Sequence, residues 1–144
     1  MTSPLMTARP VRAALAVIGM TSMAIGLSGC FADPGSGFAA LDRPAEARDA
    51  LPAEPPDSED LLFDPESARF VADDDGARLY LARGPGSQFC LLVYVEGPVP
   101  GVACSGGTWL GFEIPGHEYE VRADGMPAPE GATALSPNVY VVDD

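Results

Sequence analysis

The chain has no lysine, and its eight arginines face 21 aspartates and glutamates. Such a surface repels polyphosphate backbones and cannot assemble a basic patch, which excludes nucleic-acid binding. One histidine, His117, and three cysteines are too few for a zinc centre built from Cys and His ligands. The glycine-rich pieces "GPGS" and "GG" lack the strand, helix and lysine context of a phosphate cradle, so no cofactor is expected. The chain also lacks an apolar run long enough to span a bilayer. The longest, Ala13 to Leu27, has fifteen residues, about 22 Å as a helix against the roughly 30 Å of a hydrocarbon core. There is no internal repeat.

That apolar run has a meaning of another kind. Arg9 and Arg12 precede it, no acid does, and it ends in "LSGC", Leu27 to Cys30. A charged segment followed by a short apolar one reads as an export signal. The last four residues resemble the lipoprotein box of bacterial lipoproteins. Leu27 stands three residues before the cut, small Ser28 and Gly29 follow, and Cys30 is the cysteine of the pattern. The resemblance implies cleavage by signal peptidase II between Gly29 and Cys30, a diacylglyceryl group on the Cys30 sulfur, and a protein anchored to the extracytoplasmic face of the cell membrane. One acyl chain holds a protein marginally; two hold it stably.

With Cys30 carrying lipid, Cys90 and Cys104 are left as a pair in an oxidising compartment, where disulfides persist. A Cys90–Cys104 bond is expected, two buried thiols being the alternative. Without residues 1–29 the chain keeps six arginines against all 21 acids, a formal charge of −15, which is expected to hold the domain off anionic headgroups. The absence of lysine, the single Asn138 and the wealth of Ala, Gly, Pro, Asp and Val point to a high-GC, actinobacterial type of proteome.

From residue 30 to 60 prolines at 34, 44, 52, 55 and 56 alternate with small and acidic residues. Little apolar area is present to offset the entropy of ordering them, so a flexible tether is expected, with a short helix in "ALDRPAEARDAL" as its one candidate element. Apolar density rises at Leu61 and leaves residues 61–144 for one small domain, a size that calls for a staple. Asp64 before Pro65 predicts a helical turn near residues 65–69. Strand patterns follow in "ARLYLAR" (77–83), "QFCLLVYVE" (88–96), "TWLGFEI", "YEVRA" and "NVYVV". Asp75-Gly76 marks a two-residue hairpin pairing 77–83 with a strand near 69–72. The expected fold is mainly β: a small antiparallel sheet, sandwich or partly closed barrel with one disulfide. The segments "DGARLYLARG", "FCLLV" and "GVACSGG" are loosely similar to exported actinobacterial proteins that carry no transferable activity.

Several candidate chemistries are weak. "ACSGG", Ala103 to Gly107, resembles the neighbourhood of a serine-protease nucleophile, yet Ser105 lacks the preceding Gly-Asp and His117 lies downstream instead of far upstream. "DDDG", Asp73 to Gly76, would need oxygen ligands at Val71 and Ala82 to act as a calcium loop, so a turn is the better reading. Glu113, Glu118 and Glu120 are close in sequence, but the last two alternate with Tyr119 and Val121 as a solvated strand face. Trp109 is more informative. Alternation sends Leu110, Phe112 and Ile114 to one side and Trp109, Gly111 and Glu113 to the other; with the first side as core, Trp109 is either a partly exposed aromatic platform or packed against the tether or a loop, with Tyr80 and Tyr119 as further surface candidates. The expected function is that of a membrane-anchored, non-enzymatic binding or accessory module with an envelope-protein partner. A solute- or glycan-binding lipoprotein is the alternative, and a small hydrolase using Ser105 or the Glu113 and Glu118 carboxylates a more distant one.

Overall fold

A computed structural model describes residues 35–53 and 61–142. Eight strands form two four-stranded antiparallel sheets. The first contains β1 (Asp64–Asp74), β2 (Ala77–Arg83), β3 (Phe89–Tyr94) and β4 (Gly101–Ser105), in that order. The second contains β5 (Trp109–Ile114), β6 (His117–Arg122), β7 (Ala132–Ala134) and β8 (Val139–Val142), ordered β5-β6-β8-β7. The sheets remain open at their edges, so of the expected architectures the sandwich is the one formed.

Period-two alternation builds the interior. Leu79 and Leu81 of β2 and Leu91 and Val93 of β3 meet Tyr119 and Val121 of β6 and Val139 of β8, all nearly inaccessible to solvent. The inward residues of β5, Leu110, Phe112 and Ile114, close the side. The hairpin at Asp75-Gly76 pairs Asp74 with Ala77. Both turn residues have positive φ, 42° and 86°, as the type I′ turn favoured in two-residue hairpins requires. A Cβ at Gly76 would meet no neighbour, so Gly76→Ala should act through the backbone alone. We expect a loss of about 1 kcal/mol, read as a lower denaturant midpoint with an unchanged slope.

The Cys90–Cys104 disulfide is present and joins directly opposed residues of β3 and β4, Cα to Cα 4.0 Å. Its sulfurs lie on the outer face of the first sheet, and this face is buried as well. Tyr80, Ala82, Cys90, Leu92 and Tyr94 pack there with Phe63, Ala68, Phe70, Leu51 and Leu61. Tyr80 stands edge-on to both Phe70 and Tyr94 at 5.7 Å between ring centroids.

Two expectations need correction. The helical turn near residues 65–69 is instead part of β1. Asp64 does accept the Glu66 amide (3.0 Å) and Ser67 donates to the Asp64 carbonyl (2.6 Å), but this local turn is a bulge: five residues of β1 pass while β2 advances two. The flexible tether does not describe residues 35–53. Helix α1 (Ala39–Asp42) and a 3₁₀ turn (Ala47–Asp49) form an arm whose Phe38 and Leu41 enter the core between the sheets. Phe38 packs on Phe89 at 4.3 Å between rings. The arm also covers β1, an edge strand. Asp49 accepts the Phe70 amide at 2.8 Å and Arg43 Nη2 donates to the Phe70 carbonyl at 3.4 Å, satisfying edge groups that would otherwise invite another strand. Residues 30–34 and 54–60 of the expected tether, and the whole expected signal segment 1–29, lie outside the described residues.

Candidate functional site

The outer face of the second sheet is built by β5 and β6. Leu110, Phe112 and Ile114 turn inward, which leaves Trp109, Gly111 and Glu113 facing out, opposite Arg122, Glu120 and Glu118 respectively. Trp109 is 58% exposed. A Cβ on Gly111 would lie 3.4 Å from its Cζ3, so the indole leans over the space that a side chain would fill. Beside it Arg122 Nε donates to Glu120 Oε1 at 2.6 Å and Nη1 donates to the Pro127 carbonyl at 2.8 Å. The platform is therefore a flat aromatic surface bordered by a neutralised ion pair. It suits contact with an apolar or amphipathic surface better than capture of a charged solute.

No known family, curated protein or solved structure matches the chain.

The opposite end of the sandwich has a different character. The β1–β2 and β5–β6 turns and the end of β8 enclose an open cleft of about 540 Å³, lined by Asp74, Asp75, Glu113, Ile114, Gly116, His117, Glu118, Val141 and Val142. Asp74 joins the two sheets here. Its Oδ2 accepts the Tyr119 hydroxyl at 3.0 Å and lies 3.4 Å from His117 Nδ1, and the His117 ring stacks parallel to Tyr119 at 5.7 Å. Burial, together with the bond to Asp74 and the charges of Asp74 and Asp75, pushes the Tyr119 phenol far above the ordinary tyrosine range. It thus acts as a fixed neutral donor. Glu113 and Glu118 oppose each other across β5 and β6 and are both exposed. Among the described residues no three Asp, Glu, His or Cys stand close enough to hold a metal ion.

Of the surface candidates, Trp109 is where alternation put it, whereas Tyr80 and Tyr119 are fully buried. Alternation puts Tyr80 on the face away from Leu79 and Leu81, but the arm and the Leu61–Phe63 segment cover that face, and its hydroxyl donates to the Ala50 carbonyl at 3.3 Å. Tyr119 belongs to the core between the sheets. Ser105 and His117 are not brought together. Gly101, four residues before Ser105, is the β4 residue set against Phe112 and Ile114, so Ser105 lies about 13 Å further along the strand. Its hydroxyl accepts the Gly107 amide at 3.1 Å. The "DDDG" stretch is a turn, as expected, and Glu120 is held by Arg122. Gly29 and Cys30 lie outside the described residues. The contact of Asp74 with His117 and Tyr119 was missed. His117 and Tyr119 share a strand face by their spacing, but nothing in the sequence ties Asp74 to them.

Proposed function

We propose that the chain is an envelope lipoprotein, made with a signal peptide over residues 1–29, lipidated on Cys30 and carried on the extracytoplasmic face of the cell membrane. Its folded domain is a non-enzymatic binding or accessory module that works by contact through the surface around Trp109. The observation that carries the reading is the complete "LSGC" box after a basic and then apolar segment. The exposed Trp109, seated over Gly111, supports the recognition half. A site that presents one flat aromatic ring, with its neighbouring charges already paired, favours adhesion to a surface over chemistry on a small molecule.

Replacing Cys30 by alanine tests the anchor in cells. The wild type should pellet with membranes, and the variant should leave that fraction or accumulate as the uncut precursor. If the variant matures and fractionates as the wild type does, the lipid-anchored reading is wrong.

A further inference from the structure

We propose that the partner of the Trp109 surface is the bilayer itself: the end of the sandwich carrying Trp109 and Leu62 sits in the interfacial layer of the membrane that holds the Cys30 lipid. This inference rests on the lipid-anchored reading and gives its contact surface a partner.

Three observations converge on that end. The first is where the docked arm begins. Gly35 and Ser36 line a hollow with Arg83, Gly86 and Gln88 at the β2–β3 turn, and the Gly37 carbonyl accepts the Asp124 amide at 2.8 Å, just past β6. Gly35 stands only five positions after Cys30, a stretch that spans at most about 18 Å. A lipid on Cys30 therefore brings this end, and not the opposite one, to the membrane surface.

The second is exposed apolar area at the same end. Leu62 is 60% and Trp109 58% exposed. They flank the Gly106–Thr108 connection between the sheets: the Leu62 carbonyl lies 3.6 Å from Cys104 Sγ, and Thr108, next to Trp109, accepts the Ala123 amide at 2.8 Å. Tryptophan favours the headgroup level, where its ring is half solvated and its N–H finds partners. Val95 and Val99 are also exposed, but they follow β3 at the opposite end, beyond the reach of the five-residue link.

The third is the placement of charge. At the Trp109 end two acids are paired, Asp42 with Arg83 at 2.9 Å and Glu120 with Arg122 at 2.6 Å, while Asp64 and Glu66 are exposed. The acids of the cleft, Asp74, Asp75, Glu113 and Glu118, gather at the far end. Strands of six residues put that end about 20 Å away, some two Debye lengths at physiological salt. The charge of those four acids is thus largely screened from a membrane at the Trp109 end.

Trp109 is the only tryptophan, so its fluorescence reports this contact without labels. The purified lipidated protein is reconstituted into phosphatidylcholine–phosphatidylglycerol vesicles, with and without brominated acyl chains. Flotation establishes binding, and iodide tests aqueous access against free N-acetyltryptophanamide in the same suspension. We expect co-flotation, quenching by bromolipid on the order of twofold, and a several-fold smaller iodide effect than on the free indole. Co-flotation with no bromolipid quenching and open iodide access overturns the membrane contact while leaving the anchor intact. Failure to float with vesicles overturns the anchored reading, and this inference with it.

Discussion

Replacing Cys90 and Cys104 together by alanine is expected to lower the stability of the domain by about 3 kcal/mol, the chain-entropy value for a loop of this length. For a domain of this size that corresponds to a fall in Tm of roughly 12–24 °C. The bond matters because of the strand it holds. Every residue of β4 is only half-buried, and Gly101, Ala103 and Ser105 offer little apolar surface to keep it on β3. The crosslink supplies at one register position what side-chain burial does not. Strand β4 also leads directly into β5 through Gly106–Thr108, so loosening it frees the hinge between the sheets. Circular-dichroism melts of the variant and of the wild type with and without reductant check this. Agreement of all three within about 2 °C would show that packing alone holds β4.

The second large effect is expected at Asp49. Its carboxylate accepts Arg43 Nη1 and Nη2 at 2.7 and 2.6 Å, the Glu46 amide at 2.7 Å and the Phe70 amide at 2.8 Å, while its side chain is only 4% exposed. Burial by itself pushes this carboxyl up. The Arg43 bonds, the two amides and the Arg43 charge outweigh it and hold the group at about 2, against an ordinary 3.8. Asp49→Ala leaves a partly buried guanidinium and an edge-strand amide without their acceptor, a change that costs about 3 kcal/mol in comparable buried pairs. One of the lost bonds ties the arm to β1 and the other three hold the arm's own turn, so the arm should detach first. Tryptic cleavage after Arg48 should accelerate by at least tenfold, with hydrogen exchange rising at Phe38 and Leu41. An unchanged cleavage rate would mean that Phe38 and Leu41 hold the arm without Asp49.

The same carboxylate sets a pH dependence. Because its folded value lies below its unfolded value, its contribution is complete above the ordinary 3.8 and disappears as pH falls through about 2. The shift corresponds to about 2 kcal/mol. Arm docking should therefore be constant from neutral pH down to about 4.5 and weaken between about 4 and 2. The Asp49→Ala protein should lack that step.

The parts of this architecture visible in the sequence are those set by local chemistry. Alternation in "ARLYLAR" and "TWLGFEI" located β2 and β5 and the outward Trp109, and Asp75-Gly76 located the β1–β2 hairpin. The parts that were hidden depend on tertiary partners. Strand β4 is a run of small residues whose pairing is fixed by β3 and the disulfide, and β7 is only Ala132–Ala134, too short and too weakly apolar to signal itself. Asp64-Pro65 carries a true turn signal, but the turn is absorbed as a bulge in a long strand. The arm looked unstructured because its apolar content is low. Two buried apolar side chains, Phe38 and Leu41, and one buried ion pair were enough to dock it. That docking also buried Tyr80, which alternation alone would leave on an open face.

The docked arm has a consequence for the anchored reading. A thirty-residue tether would leave the domain free to sample the space around its anchor. An arm bound from Gly35 onward leaves five residues, so an anchor at Cys30 would present one defined end of the sandwich to the membrane and turn the acidic cleft of Asp74, Glu113, His117 and Glu118 away from it.

The anchor is the claim on which that geometry depends, and the mass of the N-terminal peptide of the membrane-extracted protein tests it most directly. We expect a mature N-terminus at Cys30, its sulfur carrying a diacylglyceryl group. An N-terminus at another residue, or an unmodified Cys30 in protein recovered from the membrane, would contradict it.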